Sequence, residues 1–470
     1  MLFPTVDFLV FFLAVAAVMA LLEGRFAAKK TLLVLASYFF YAQWNWRFCF
    51  LLAFSTAVSY AAGRLIAARA DSRGKRAALA AGVTIHLGLL GVFKYFDFFV
   101  GSANQLAQLL GLARELPFFE IILPVGISFY TFHGISYIVD VYRGDVPVCR
   151  RPVDMLLYMS FFPQLVAGPI VRAAYFLPQL EKPAAEPIPI AAALILIIGG
   201  LFKKVVIASY LATELVDPVF AAPTSYGAPD LVFAVYGYAV QIYCDFSGYS
   251  DMAIGLAALL GFRFPPNFAQ PYRAQRLREF WQRWNMSLSF WLRDYLYKPL
   301  GGNRQGRLKT YRNLLVTMLL GGIWHGAGWK FVMWGALHGG GLAVERMLEP
   351  LIGRRPTSLA GQVTGTVLVF HFVCLAWIFF RAEDFSVAWL YLCGLGSGWT
   401  TGLQQAQPFT VALILLGLAG QFTSPAFLER SAGALGRLPS WAQGSLAGIA
   451  AAAINAVGPE GIAPFIYFQF

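Results

Sequence analysis

Charge is what this sequence has least of. Only 13% of its 470 residues are Asp, Glu, Lys or Arg, about half the share of an ordinary soluble domain. With 58% hydrophobic residues, that scarcity excludes a disordered chain, a collagen-like repeat and a charge-laced coiled coil. Cysteine is scarce too. Cys49, Cys149, Cys244, Cys374 and Cys393 show neither paired spacing nor a metal-ligand pattern, which excludes a disulfide scaffold and gives no support to a metal site. There is no Walker A loop, dinucleotide glycine fingerprint, Gly-x-Ser-x-Gly elbow or His-Glu-x-x-His helix. No solenoid period or inverted repeat stands out, and no linker is long enough to detach a soluble domain.

Apolar stretches near membrane-spanning length fill the space instead, recurring from residues 5–23 to residues 442–457. A length that would otherwise suggest about three soluble domains therefore predicts one all-α, polytopic membrane domain over residues 1–470. About ten to twelve crossings are expected, with the shorter runs re-entrant or interfacial. The first run, about residues 7–22, has no Lys or Arg before it, so it is expected to stay as a span and not be cleaved as a signal.

The net charge of +12 fits Lys and Arg in cytoplasmic loops better than a nucleic-acid partner. Arg25, Lys29 and Lys30 follow the first span, and Arg64, Arg69, Arg73, Lys75 and Arg76 follow the third. The densest cluster runs from Arg263 to Arg312, with 11 basic residues against Glu279 and Asp294. The positive-inside rule puts all three at the cytoplasm and the N-terminus outside.

Three elements are out of keeping with a plain span. Residues 274–297 carry Arg276, Arg278, Glu279, Arg283, Arg293 and Asp294, yet Trp284, Leu288, Trp291 and Tyr295 recur at helical spacing. That pattern predicts an interfacial helix, either a simple surface anchor or a wall for an anionic donor such as coenzyme A. Residues 321–329 place His325 among four glycines, with Trp324 and Gly326 beside it. A neutral imidazole in an apolar site is a competent general base, or else a hydrogen-bonded core histidine. His338 is a second candidate, whereas His86, His133 and His371 read as structural. In residues 239–255, Asp245, Ser247, Ser250 and Asp251 interrupt an apolar run; they either pair with basic residues to fix helix packing or act on substrate.

Seven motifs then occur in order: LPVGISFYTF (123–132), AGPIVR (167–172), GLFKKVVIA (200–208), DFSGYSDMAIG (245–255), WLRDYLYKPLGGNR (291–304), GIWHGAGW (322–329) and WIFFRAED (377–384). Together they resemble the membrane-bound O-acyltransferase family, in particular its bacterial branch serving alginate and cellulose O-acetylation, with the core at about 120–385. The resemblance implies an acyl-transfer site in the bilayer, reached from both faces, at the inner membrane. It implies that His325 is catalytic and that Asn285 occupies the second polar position, often a histidine in bacterial members. It also implies acetyl-CoA as a donor substrate, no bound cofactor, and an extracytoplasmic acetyltransferase or the polymer as acceptor. Trp284, Trp324, Gly326, Arg276, Arg278, Arg283, Asp245, Ser247 and His338 are the expected substrate contacts. Asn285, read as an interfacial polar residue, is expected to matter little for stability. The rival readings are a polysaccharide or lipid-linked-sugar transporter and a non-catalytic scaffold.

Overall fold

The computed structural model describes residues 3–112, 116–119, 121–166, 168–183, 187–353, 358–459, 461 and 465–466. Ala167 of the AGPIVR motif, and residues 184–186 of the Pro-rich stretch read as a loop at 181–189, lie outside them. Among the described residues there is no strand, and the all-α expectation holds. The chain gathers into two compact units, Met1–Ile188 with Leu260–Phe264, and Pro189–Leu259 with Pro265–Phe470.

The first unit holds α1 (Val6–Leu21), α2 (Phe26–Asn45), α3 (Phe48–Ala68), α4 (Ser72–Leu109), α5 (Ile127–Arg143), α6 (Pro152–Ser160) and α7 (Ala173–Glu181). Local chemistry sets several of the starts. Thr5 Oγ1 accepts the Phe8 amide at 3.3 Å, the Asp71 carboxylate caps α4, and Pro152 sits in the first turn of α6, where no amide is needed. Phe8, Phe40 and Phe162 pack ring on ring, Phe8 lying 5.9 Å from Phe40 and 6.2 Å from Phe162. Lys30 belongs to this core. It forms a buried ion pair with Asp154 and donates to the Leu180 carbonyl at 2.9 Å, so it is not one of the loop cations that orient the chain. His86 is a satisfied core histidine, 2.8 Å from Ser59 Oγ and 3.3 Å from Ser55 Oγ.

The second unit holds α8 (Ile190–Ala221), α9 (Ala228–Leu259), α10 (Leu277–Arg283), α11 (Met286–Leu292), α12 (Arg307–His325), α13 (Trp329–Ile352), α14 (Leu359–Arg381), α15 (Phe385–Gly394), α16 (Pro408–Ala419), α17 (Pro425–Gly436) and α18 (Ser440–Val457). The helix α9 absorbs the whole DFSGYSDMAIG motif without a break. Its carboxylates are met by lysines of α8: Lys204 Nζ lies 2.7 Å from Asp245, and Lys203 bridges Asp251 and Ser247, reaching Ser247 Oγ at 3.0 Å.

Among the described residues four helices are by length and apolarity able to cross a bilayer alone: α3, α4, α8 and α14. A fifth span would be the pair Pro408–Phe422 and Ala426–Gly436, bent by 90°. Ten to twelve crossings are therefore not reached on that criterion. Two physical reasons account for the difference. Helix α1 has 16 residues, about 24 Å at 1.5 Å per residue. Long helices such as α9 are sheathed by protein, and a helix that neighbours cover need not be uniformly apolar.

Candidate active site

The pair α12–α13 carries the imidazole. The two helices turn back on each other through Gly326, Ala327 and Gly328, with Gly326 and Gly328 in extended backbone. Close approach explains the glycines along the seam. A Cβ on Gly335 would overlap the Met318 carbonyl oxygen and lie 3.0 Å from Leu319 Cα, and one on Gly322 would lie 3.2 Å from Gly335 Cα. Small residues let two membrane helices pack backbone to backbone.

His325 is the last residue of α12 and is 3% exposed. Its ring sits edge-on in an aromatic nest, with centroids 4.8 Å from Trp334, 5.0 Å from Trp324 and 5.2 Å from Phe380. The nest continues from Trp334 to Trp377 at 6.1 Å and from Trp377 to Trp284 at 5.2 Å. His338 also belongs to it, 4.7 Å from Trp334, and accepts from Trp281 Nε1 at its Nδ1, 3.2 Å away. His325, His338, Trp324 and Trp284 are thus brought into one buried cluster. Gly326 lies at its edge, where Phe331 occupies the space of a side chain.

The basic stretch is not one amphipathic helix, as its spacing predicts. It breaks between α10 and α11 at Trp284 and Asn285, and Asn285 adopts φ 39° and ψ 58°. Asparagine is among the residues that tolerate this left-handed region. Asn267 holds the break from below. Its carbonyl accepts the Met286 amide at 2.8 Å, and its Oδ1 accepts the Ser287 amide at 3.0 Å. Asn285 is only 2% exposed, so the expectation of an interfacial side chain with little structural weight is corrected. The turn itself depends on a residue that accepts positive φ.

Beside this break opens a cavity of about 1470 Å³, larger than the few hundred to about 1,000 Å³ typical of small-molecule pockets. Arg276, Arg278, Arg283, Arg293, Lys298, Arg304 and Arg346 line it, against Glu279, Glu345 and Glu349. The arginines differ in what they are free to do. Arg283 is tied to Glu279 at 2.9 Å and to the Ala269 carbonyl at 2.9 Å, pinning α10 to the preceding loop. Arg293 holds Asp294 with two hydrogen bonds of 2.9 Å, which raise its pKa above the ordinary value, and Arg346 reaches Glu349 at 2.6 Å. Arg276 donates to the Gly353 carbonyl at 3.2 Å. Arg278 and Arg304 have no carboxylate partner among the described residues. Arg304 is carried on a turn at Gly301 and Gly302, whose φ of 106° and 56° suits glycine. Glu345 has a structural task, its two oxygens capping α10 through the Leu277 and Arg278 amides at 2.6 and 3.1 Å.

Thr310, Leu314, Thr317 and Met318 carry the cavity wall down α12. His325 lies 18 residue steps from Arg307, about 27 Å along the helix, and seven steps beyond Met318, about 10 Å. The imidazole therefore lies beyond the inner end of the cavity, at the opposite end of α12 from Arg307. Asp245 and Ser247, expected as substrate contacts, do not line the cavity; their side chains meet the lysines of α8. Trp281, Trp334, Trp377, Asn267 and Arg304 are site components that residue-by-residue reading misses. Trp334, His338, Leu342 and Arg346 do share a four-residue spacing, the signal of one helix face.

The model of the membrane-bound O-acyltransferase family matches residues 151–382. A probable alginate O-acetylase of Azotobacter vinelandii is 44% identical over 399 residues, 83% of this chain and 78% of that one. The peptidoglycan O-acetyltransferase of Helicobacter pylori is 37% identical, over 78% of this chain and 73% of its own length. A teichoic acid D-alanyltransferase of Bacillus subtilis is 28% identical over 56% of this chain and 69% of its own. With a buried imidazole closing a polytopic helical unit and this extent of similarity, the chain belongs to the membrane-bound O-acyltransferase family and is an acyltransferase.

Proposed function

We propose that the chain is an inner-membrane O-acetyltransferase that takes acetyl from cytoplasmic acetyl-CoA and passes it towards a hydroxyl of a bacterial exopolysaccharide of the alginate or cellulose type. The observation that carries the reading is the pairing of a large basic cavity with a buried imidazole at the far end of the same helix. The cavity suits a polyphosphate donor, because guanidinium groups bind phosphate oxygens in fixed, two-pronged geometry. The names of the alginate and peptidoglycan O-acetylating relatives support acetyl as the group moved and a surface glycan as its destination.

In this reading the phosphates of acetyl-CoA rest on Arg278 and Arg304, and the thiol-bearing arm runs down α12 towards His325. The imidazole takes the proton of an acceptor hydroxyl as its oxygen bonds to the thioester carbonyl carbon. The C–S bond then breaks, and the proton passes from the imidazolium to the departing thiolate. A positioned base contributes about 10²–10⁴-fold. Trp324, Trp334 and Phe380 exclude water from the reacting carbon, which limits hydrolysis of the thioester. The acceptor is an extracytoplasmic acetyltransferase that relays the group to the polymer.

The deciding experiment is mass analysis of O-acetyl on cell-surface polysaccharide with His325→Ala at equal protein level. Loss of acetylation with folded protein is expected. Full acetylation would overturn the reading in favour of a transporter or a scaffold.

A further inference from the structure

Between the cavity and His325 the second unit buries two donors that meet no acceptor among the described residues. Met318 and Leu342 line the inner part of the cavity on α12 and α13. From Leu342, α13 continues through His338 and Trp334, whose rings step towards His325 at centroid distances of 4.7 and 4.8 Å. Trp334 is 1% exposed and His338 0%. Trp281, which lines the cavity, donates its indole N–H to His338 Nδ1 at 3.2 Å. An indole nitrogen can only donate, so Nδ1 is the acceptor and the proton of the neutral ring sits on Nε2. Neither His338 Nε2 nor Trp334 Nε1 has a hydrogen-bond partner among the described residues. Buried polar groups are nearly always paired, and both orphans here are N–H donors, which suit a carbonyl oxygen.

We propose that Trp334 Nε1–H and His338 Nε2–H receive the carbonyl oxygen of the acyl thioester beside His325. The inference rests on the acyl-transfer reading given above. As the acceptor oxygen bonds to the carbonyl carbon, the π pair moves onto the carbonyl oxygen, where the two N–H groups hold the new negative charge. When the pair returns, the C–S bond breaks and the thiolate takes the proton that His325 carries. Trp281 is a positioning residue: it fixes the tautomer that gives His338 its outward donor.

Purified full-length protein, with the extracytoplasmic acetyltransferase of the proposed relay added as hydroxyl acceptor, is assayed for thiol release from acetyl-CoA. Trp334→Phe keeps a ring and loses the N–H, and His338→Leu removes the second donor. Each is expected to lower kcat by about 10²–10³-fold, the usual cost of one oxyanion donor, with KM changed by no more than about twofold. His338→Asn restores an N–H and recovers part of kcat, which filling space with leucine cannot do. Trp281→Phe lowers kcat by less than either donor deletion. Wild-type kcat in both Trp334→Phe and His338→Leu, or a loss confined to KM, would overturn the proposal while leaving an inactive His325→Ala unexplained only in its oxyanion partner. Activity retained in His325→Ala, or no thiol release by the wild-type protein, would instead sink the acyl-transfer reading and this proposal with it. Should His338→Leu fail to fold in detergent, Trp334→Phe decides alone.

Discussion

The seam between α12 and α13 sets the position of His325, and it can be perturbed with one methyl group. In Gly335→Ala the new Cβ would overlap the Met318 carbonyl oxygen and stand 3.0 Å from Leu319 Cα. Carbon atoms rest at about 3.5–4.0 Å, so the helices must part by roughly 0.5–1 Å. The obstacle is backbone, which has no alternative rotamer. Overpacking of this kind costs about 1–3 kcal/mol. Gly340 lies on the same helix with nothing within 4 Å of an added Cβ. There alanine should be neutral or should stabilise by up to about 1 kcal/mol through its better helix propensity. The two variants carry the same chemical change, so their difference isolates the seam. Thermal unfolding in detergent should separate them in melting temperature, with Gly335→Ala the lower. Activity should follow, because a displacement near 1 Å at a reacting centre can cost about 10²-fold. Equal melting temperatures for the two variants, with equal transfer rates, would refute the claim that backbone contact at this seam places the imidazole.

Asn285→Gly should fold like the wild type, because glycine accepts the left-handed backbone, whereas Asn285→Ala should lose about 1 kcal/mol of stability; equal melting temperatures would remove the turn from the account. Any activity lost in the glycine variant then reports the amide's chemistry and not its conformation. Arg278→Gln and Arg304→Gln should raise KM for acetyl-CoA and weaken its dependence on salt, with kcat and folding little changed. Arg283→Gln should instead lower stability, since Arg283 holds Glu279 and the Ala269 carbonyl; an unchanged melting curve would contradict that assignment. Lys204→Met strands the Asp245 carboxylate in the interior and should cost about 3–5 kcal/mol. Lys204→Met with Asp245→Leu should recover much of it, as read by the yield of folded protein in detergent, and a double variant no better than the single would count against a simple pair.

The sequence periodicity of residues 274–297 shows how far reading by pattern reaches. Trp284, Leu288, Trp291 and Tyr295 do lie on helical spacing, and all are drawn inward to some degree. What the spacing cannot show is the interruption at Asn285. It is held by Asn267, 18 residues upstream, whose carbonyl and side-chain Oδ1 accept the Met286 and Ser287 amides, and a side chain that tolerates left-handed φ leaves no mark on periodicity. His325 is legible because an imidazole inside an apolar run is rare, and its glycines announce a close approach. Its neighbours are not legible. Trp281, Trp334 and Trp377 come from three helices, and tryptophan in an apolar helix looks the same whether it faces lipid, core or substrate.

Charge shows the same divide between what composition tells and what placement adds. The excess of Lys and Arg reads as a topology signal, but several of those cations have tasks that a count cannot see. Lys30, Lys203 and Lys204 meet Asp154, Asp251 and Asp245 inside the helical units, and a buried charge that loses its partner destabilises strongly. Such lysines cannot move to greet a ligand. Arg283 and Arg293 are likewise held by neighbouring carboxylates. In the proposed function the electrostatic pull on a phosphate therefore falls to Arg278 and Arg304, which have no carboxylate partner among the described residues. A donor held there by its phosphates still has about 10 Å of helix to cover between Met318 and His325. In the proposed function that distance past Trp281, His338 and Trp334 is spanned by the long, thin, largely uncharged arm of a thioester donor, a reach that a compact acyl phosphate lacks.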